Sequence, residues 1–235
     1  MRQALDVARR RIAGAAPVPG AVRIVAVTKG FGPEAVLAAR AVGLADVGEN
    51  YAQELLGKAR ALAGPEAGPA GGGRQEAGMA FPPAAALRWH FLGAVQRNKV
   101  PQLAPLVSCW QGVARLAEGE AIARRHPGAE VLVEVELTGT PGRNGCPAAG
   151  VPRLVAQLRS LDLSVRGLMT VAPPDAGAAQ SAFRTVTSLA DALGLPERSM
   201  GMSDDCELAV REGATMVRLG RALFGARPPR HVAGA

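Results

Sequence analysis

Lysine is almost missing from this 235-residue sequence: of 27 basic residues only Lys29, Lys58 and Lys99 are lysines, and the rest are arginines. A guanidinium stays protonated and cannot serve as a nucleophilic amine, so a retained lysine is a candidate for work that needs its amine. Aromatics are also scarce: five Phe, two Trp and one Tyr. That leaves too few rings for a base-stacking surface. The formal net charge of +7 therefore reads as a basic surface with scattered arginines rather than as a nucleic-acid face. Cys109, Cys146 and Cys206 are odd in number, far apart and without metal-ligand spacing, which argues against a disulfide framework or a zinc site. They point to buried thiols in a reducing compartment, hence the cytoplasm. No apolar run is long enough to cross a bilayer. The basic N-terminus lacks the continuous apolar stretch of a signal peptide. Its Leu5, Ala8 and Ile12 recur at helical spacing instead, predicting a short amphipathic helix on the outside of the domain.

What the sequence does have is apolar material, 48% of it, enough for a substantial core. Short β-branched runs alternate with longer Ala/Leu/Arg segments. Strands are expected at 23–27, 45–48, 88–92, 106–111, 130–137, 164–170, within 197–202, and in 214–220. Helical segments follow each of them, with Pro33 opening one, a helix starting near Asn98, and others over 112–126, 151–161, 178–194 and 203–213. Eight strands each followed by helix predict a single-domain (β/α)₈ TIM barrel over residues 1–235, with an open doubly wound sheet as the competing arrangement. Residues 64–86, rich in Gly, Pro and Ala, read as a flexible loop, and 228–235 as a flexible tail.

Function in such barrels sits at the C-terminal ends of the strands. Lys29 lies just beyond the first strand, where a low-dielectric mouth favours the neutral amine; a surface loop lysine is the competing reading. RLGRALFG puts Arg218 on the last strand and Gly220 and Arg221 at a turn into helix, where free N–H groups suit a phosphate. Ser203 begins a segment in which Asp204 and Glu207 have capping-box spacing, so capping alone explains much of it. Asn50 follows the second strand, and Tyr51 is the one tyrosine. His90 lies on the third strand, where a lone histidine is ordinarily a core residue.

The stretches VAVTK, VGENYAQEL, WHFLGAVQRNK, VRGLMT, SMGMSDDCELAVREGATMVRLG and ALFGAR, in this order, resemble the pyridoxal phosphate homeostasis protein family. The resemblance runs from about Ile24 to Arg227. It implies a barrel like the N-terminal domain of alanine racemase, with pyridoxal 5′-phosphate (PLP) held as a Schiff base on Lys29. It assigns Ser203, Gly220 and Arg221 to the phosphate, Arg218 to the pyridine nitrogen, and Asn50, His90 and Met200 to the pocket lining. A guanidinium at the ring nitrogen disfavours its protonation and weakens PLP as an electron sink. The implied protein is a monomeric, non-catalytic carrier or buffer in vitamin B6 homeostasis, with apo-enzymes as possible recipients and neither metal, membrane nor nucleic acid as partner. The alternative is a PLP enzyme acting on small amino acids, racemase-like. Three positions depart from the family: Arg221 stands for a common threonine, Gly30 for another, and Arg143 for the lysine of some members.

Overall fold

The computed structural model describes residues 1–16, 22–63 and 87–227; the expected loop at 64–86 and tail at 228–235 lie outside them. The chain opens with α1 (Arg2–Ala15), followed by β1 (Arg23–Val27), α2 (Pro33–Ala41), β2 (Asp46–Glu49), α3 (Ala52–Ala63) and β3 (Arg88–Phe91). Next come α4 (Val100–Leu103), β4 (Val107–Val113), α5 (Leu116–Ala123), β5 (Glu130–Glu136) and the short β6 (Cys146–Pro147). The last part comprises α6 (Val151–Ser160), β7 (Ser164–Met169), α7 (Ala176–Ala192), β8 (Glu197–Ser199), α8 (Cys206–Arg211), β9 (Met216–Leu219) and α9 (Arg221–Phe224).

All strand pairings are parallel, and two of them decide the architecture. β4 pairs with β5, with Trp110 opposite Val131. β9 pairs with β1, with Val217 opposite Ile24 and Leu219 opposite Ala26. The ring β1-β2-β3-β4-β5-β7-β8-β9 is therefore closed, and the open-sheet alternative is excluded. Closure leaves no free edge. β6 lies outside the ring, paired on the end of β5.

The sequence explains most of these elements. RIVAV and EVLVEVE are β-branched and pack their apolar residues away from water. Pro33 occupies the first turn of α2, where no N–H is required. Leu5, Ala8 and Ile12 are the buried face of α1, which packs against α8 and α9. Several boundaries move. Gly112 and Val113 extend β4, so α5 begins only at Leu116. The helix expected near Asn98 is the single turn α4. The segment from Ser203 is turn until Cys206, and the expected capping box does not form: Asp204 pairs with Arg221 and Glu207 with Arg11. Among the described residues no helix is long and apolar enough to cross a membrane, and no cluster of residues could hold a metal.

Candidate functional site

A cavity of about 1120 Å³ opens at the C-terminal ends of the strands. Six of the residues singled out by sequence line it together: Lys29, Asn50, Ser203, Arg218, Gly220 and Arg221. They come from β1, β2, the β8–α8 turn and the β9–α9 junction, so the β9–β1 pairing brings the two ends of the ring to one place. His90 and Met200 do not line it. Both are fully buried, His90 in an interior hydrogen-bond network and Met200 in the apolar core.

The backbone on either side of Lys29 is fixed. Thr28 donates its hydroxyl to Glu49 Oε1 at 2.5 Å, and Lys58 Nζ donates to the Thr28 carbonyl at 2.7 Å and to Glu49. On the other side, Gly30 N–H donates to Glu54 Oε2 at 2.7 Å. Lys58 is thus buried as a paired ammonium behind Lys29. Lys29 itself has no ion pair among the described residues. Burial, then the charges of Arg227 and Arg218, pull its pKa below that of an ordinary lysine, outweighing Glu49 and Glu54. More of it is neutral amine at a given pH.

Arg218 lies on β9 with 5% of its surface exposed. Nη1 donates to the Ser199 carbonyl at 2.6 Å and to Ser199 Oγ at 2.9 Å, and Nη2 to the Thr170 carbonyl at 2.6 Å. Burial pulls its pKa down to about 10, with Glu134 and Asp205 opposing, so it remains a cation at neutral pH. A guanidinium has five N–H donors, which leaves two for a ligand.

At the third corner, Ser203 Oγ accepts from the Ala222 N–H at 3.1 Å. The Gly220 and Arg221 N–H groups donate to no described residue. The Ser203 turn depends on Gly201, whose φ of +90° and close approach to Ala209 and Cys206 leave no room for a side chain. Arg11 on α1 donates to the Ser203 carbonyl at 3.2 Å and forms a two-pronged pair with Glu207. The Arg221 guanidinium is engaged by Asp204. Sequence reading gave no role to Arg227, which also lines the cavity and whose side chain lies over Gly30 beside Lys29. Its position in ALFGAR, just past the short helix α9 that follows the last strand, was the available signal. Arg143 lines the cavity too. Tyr51 is 48% exposed and is not in the lining.

Residues 3–228 match the alanine racemase N-terminal domain. The pyridoxal phosphate homeostasis protein of Pseudomonas aeruginosa is 37% identical over 218 residues, covering 89% of this chain and 86% of that protein. Its counterpart in Deinococcus radiodurans is 35% identical, covering 92% and 95%. Among solved structures, PipY of Synechococcus elongatus with PLP bound superposes with a TM-score of 0.75 at 29% identity, over 95% of this chain and 99% of PipY. With relatives above 30% identity along nearly its whole length, the chain belongs to the pyridoxal phosphate homeostasis protein family, built on the alanine racemase N-terminal barrel.

Proposed function

We propose that this protein binds PLP as a Schiff base on Lys29 and holds it as a non-catalytic carrier or buffer in vitamin B6 homeostasis. One observation carries the reading: an amine of lowered pKa, a buried guanidinium and a set of anion donors (the Gly220 and Arg221 N–H groups and the Ser203 hydroxyl) converge on a single cavity. When bound, PLP supplies an aldehyde that condenses with a primary amine. The donor set fits the group at three points. The Gly220 and Arg221 N–H groups and the Ser203 hydroxyl would hold the phosphate. The free N–H groups of Arg218 would face the pyridine nitrogen, which then accepts a hydrogen bond and stays unprotonated. Lys29 would supply the amine, its pKa lowered by burial and by the neighbouring cations.

The carrier role is favoured over turnover by the same residues. A cation at the ring nitrogen weakens the electron sink that α-proton removal draws on, and the tyrosine that could serve as a proton donor lies outside the cavity lining. In this reading the protein works as a cytoplasmic monomer, and apo-enzymes are the recipients. Absorbance of the protein with added PLP, before and after borohydride reduction, tests the proposal. Wild type is expected to acquire a long-wavelength band and, after reduction, a pyridoxyl group on Lys29. Lys29→Ala is expected to acquire neither. An unchanged adduct in Lys29→Ala overturns the assignment. Exchange of the α-proton of a small amino acid in deuterated water would overturn the non-catalytic part.

A further inference from the structure

Arg218 is a buried cation with no carboxylate in contact among the described residues; Glu134 and Asp205 act on it only at longer range. Such a charge is costly unless something organised compensates it. The interior of the barrel contains a continuous row of hydrogen bonds that begins at this guanidinium. Arg218 Nη1 donates to Ser199 Oγ at 2.9 Å. Ser199 Oγ lies 2.7 Å from Gln111 Oε1, Gln111 Nε2 lies 2.7 Å from His90 Nδ1, and His90 Nε2 lies 2.7 Å from Asp46 Oδ1. Apart from Asp46, every side chain in the row is buried.

With the Gln111 amide oxygen facing Ser199 and its nitrogen facing His90, donor chemistry sets the direction of each link. A guanidinium can only donate, so Ser199 Oγ accepts from Arg218 and passes its own hydrogen to Gln111 Oε1. The Gln111 amide turns its Nε2 to His90 and donates to Nδ1, with a second contact to Met216 Sδ at 3.1 Å. Nδ1 is then an acceptor, and the imidazole proton sits on Nε2, facing Asp46. Burial pushes the Asp46 carboxyl up, but the His90 hydrogen bond and the charges of Arg88 and Arg23 outweigh it and hold the group below its ordinary range. The row therefore ends on a carboxylate. All four bonds point the same way, from cation to anion, and aligned dipoles reinforce one another in a low-dielectric interior.

We propose that Ser199, Gln111 and His90 are positioning residues that lock the Arg218 guanidinium in one orientation and link its charge to Asp46. This rests on the cofactor reading above. Backbone carbonyls of Ser199 and Thr170 hold two of the Arg218 bonds. The third goes to the Ser199 hydroxyl, which Gln111 orients, so breaking the row loosens that third bond and blurs the aim of the guanidinium at the ring nitrogen.

The test uses the full-length protein reconstituted with PLP labelled with ¹⁵N in the ring. Gln111→Leu removes the middle of the row and leaves Arg218, Ser199 and His90 in place. The expected result is a shifted ring ¹⁵N resonance, a displaced long-wavelength band and a PLP dissociation constant raised by about tenfold. The same substitution in an Arg218→Leu background is expected to move none of these further, since coupled residues fail to add. Ser199→Ala breaks the row one bond nearer Arg218 with a smaller change of shape and should reproduce the signature. The proposal is overturned if either variant keeps the wild-type resonance and band, or if Gln111→Leu has its full effect without Arg218. Loss of the folded barrel in both variants overturns it too, since the row is then a brace for the fold. A wild type that forms no adduct on Lys29 instead overturns the cofactor reading, so the two failures are told apart.

Discussion

Lys29 shares its rim of the cavity with Arg227, and two cations so placed compete for the protonated state. Burial is the larger cause of the lowered Lys29 pKa, and Arg227 the next. The sign follows directly. Capture of PLP by the amine should rise with pH through a midpoint below that of an ordinary lysine. Arg227→Ala, by removing a repelling charge, should move that midpoint to higher pH. The rate of growth of the PLP absorbance band between pH 6 and 10 measures it, with about tenfold per pH unit on the rising limb; a midpoint unmoved by Arg227→Ala overturns the argument. Much at this scale was legible in advance. The scarcity of lysine drew attention to Lys29, and turn chemistry to Ser203 and Gly220. The partners of those residues were not legible. Ser199 meets Gln111 across 88 residues of sequence, and a contact across a closed barrel leaves no local periodicity. His90 is buried in the interior network and Met200 in the apolar core, and the sequence pattern of a strand does not say which buried side chains reach the cavity.

At the scale of elements, α1 matters more than its position outside the ring suggests. Its Leu5 is fully buried, so Leu5→Ala is expected to cost about 2–5 kcal/mol, read from urea unfolding. Its Arg11 grips the Ser203 carbonyl and Glu207, holding the turn that carries the proposed phosphate donors. Arg11→Ala should therefore weaken PLP more than pyridoxal, which has no phosphate; equal weakening would show that Arg11 acts on the fold alone. The hydrogen bond from Arg11 also holds the Glu207 carboxyl down to about 2, from an ordinary 4.5. A depressed carboxylate contributes stability that is fully present above about 4.5 and is lost as pH falls toward 2. Arg11→Ala should flatten that part of the acid-unfolding profile. The strands and α1 could be read closely because burial imposes a period on them. The short helices α4, α8 and α9 could not, because turns of four to six residues have little room for a period, and their ends are set by tertiary partners such as Arg11 and Arg221.

At the scale of the whole molecule, the net charge of +7 and the guanidinium-lined mouth should draw in a phosphorylated aldehyde from solution. Association with PLP, followed by stopped flow, is expected to slow by about tenfold as salt rises through the physiological range; a salt-independent rate would show that the charge has no steering role. The pairing of the last strand with the first has a different kind of consequence. Lys29 emerges early in synthesis, yet Ser203, Arg218 and Gly220 arrive near the end and reach it only across the β9–β1 seam. On the ribosome, then, a chain would carry the proposed Schiff-base amine for most of its elongation without the phosphate and ring-nitrogen partners proposed for it. If PLP is held as proposed, its retention would report that translation has run to the final strand and that the ring has shut.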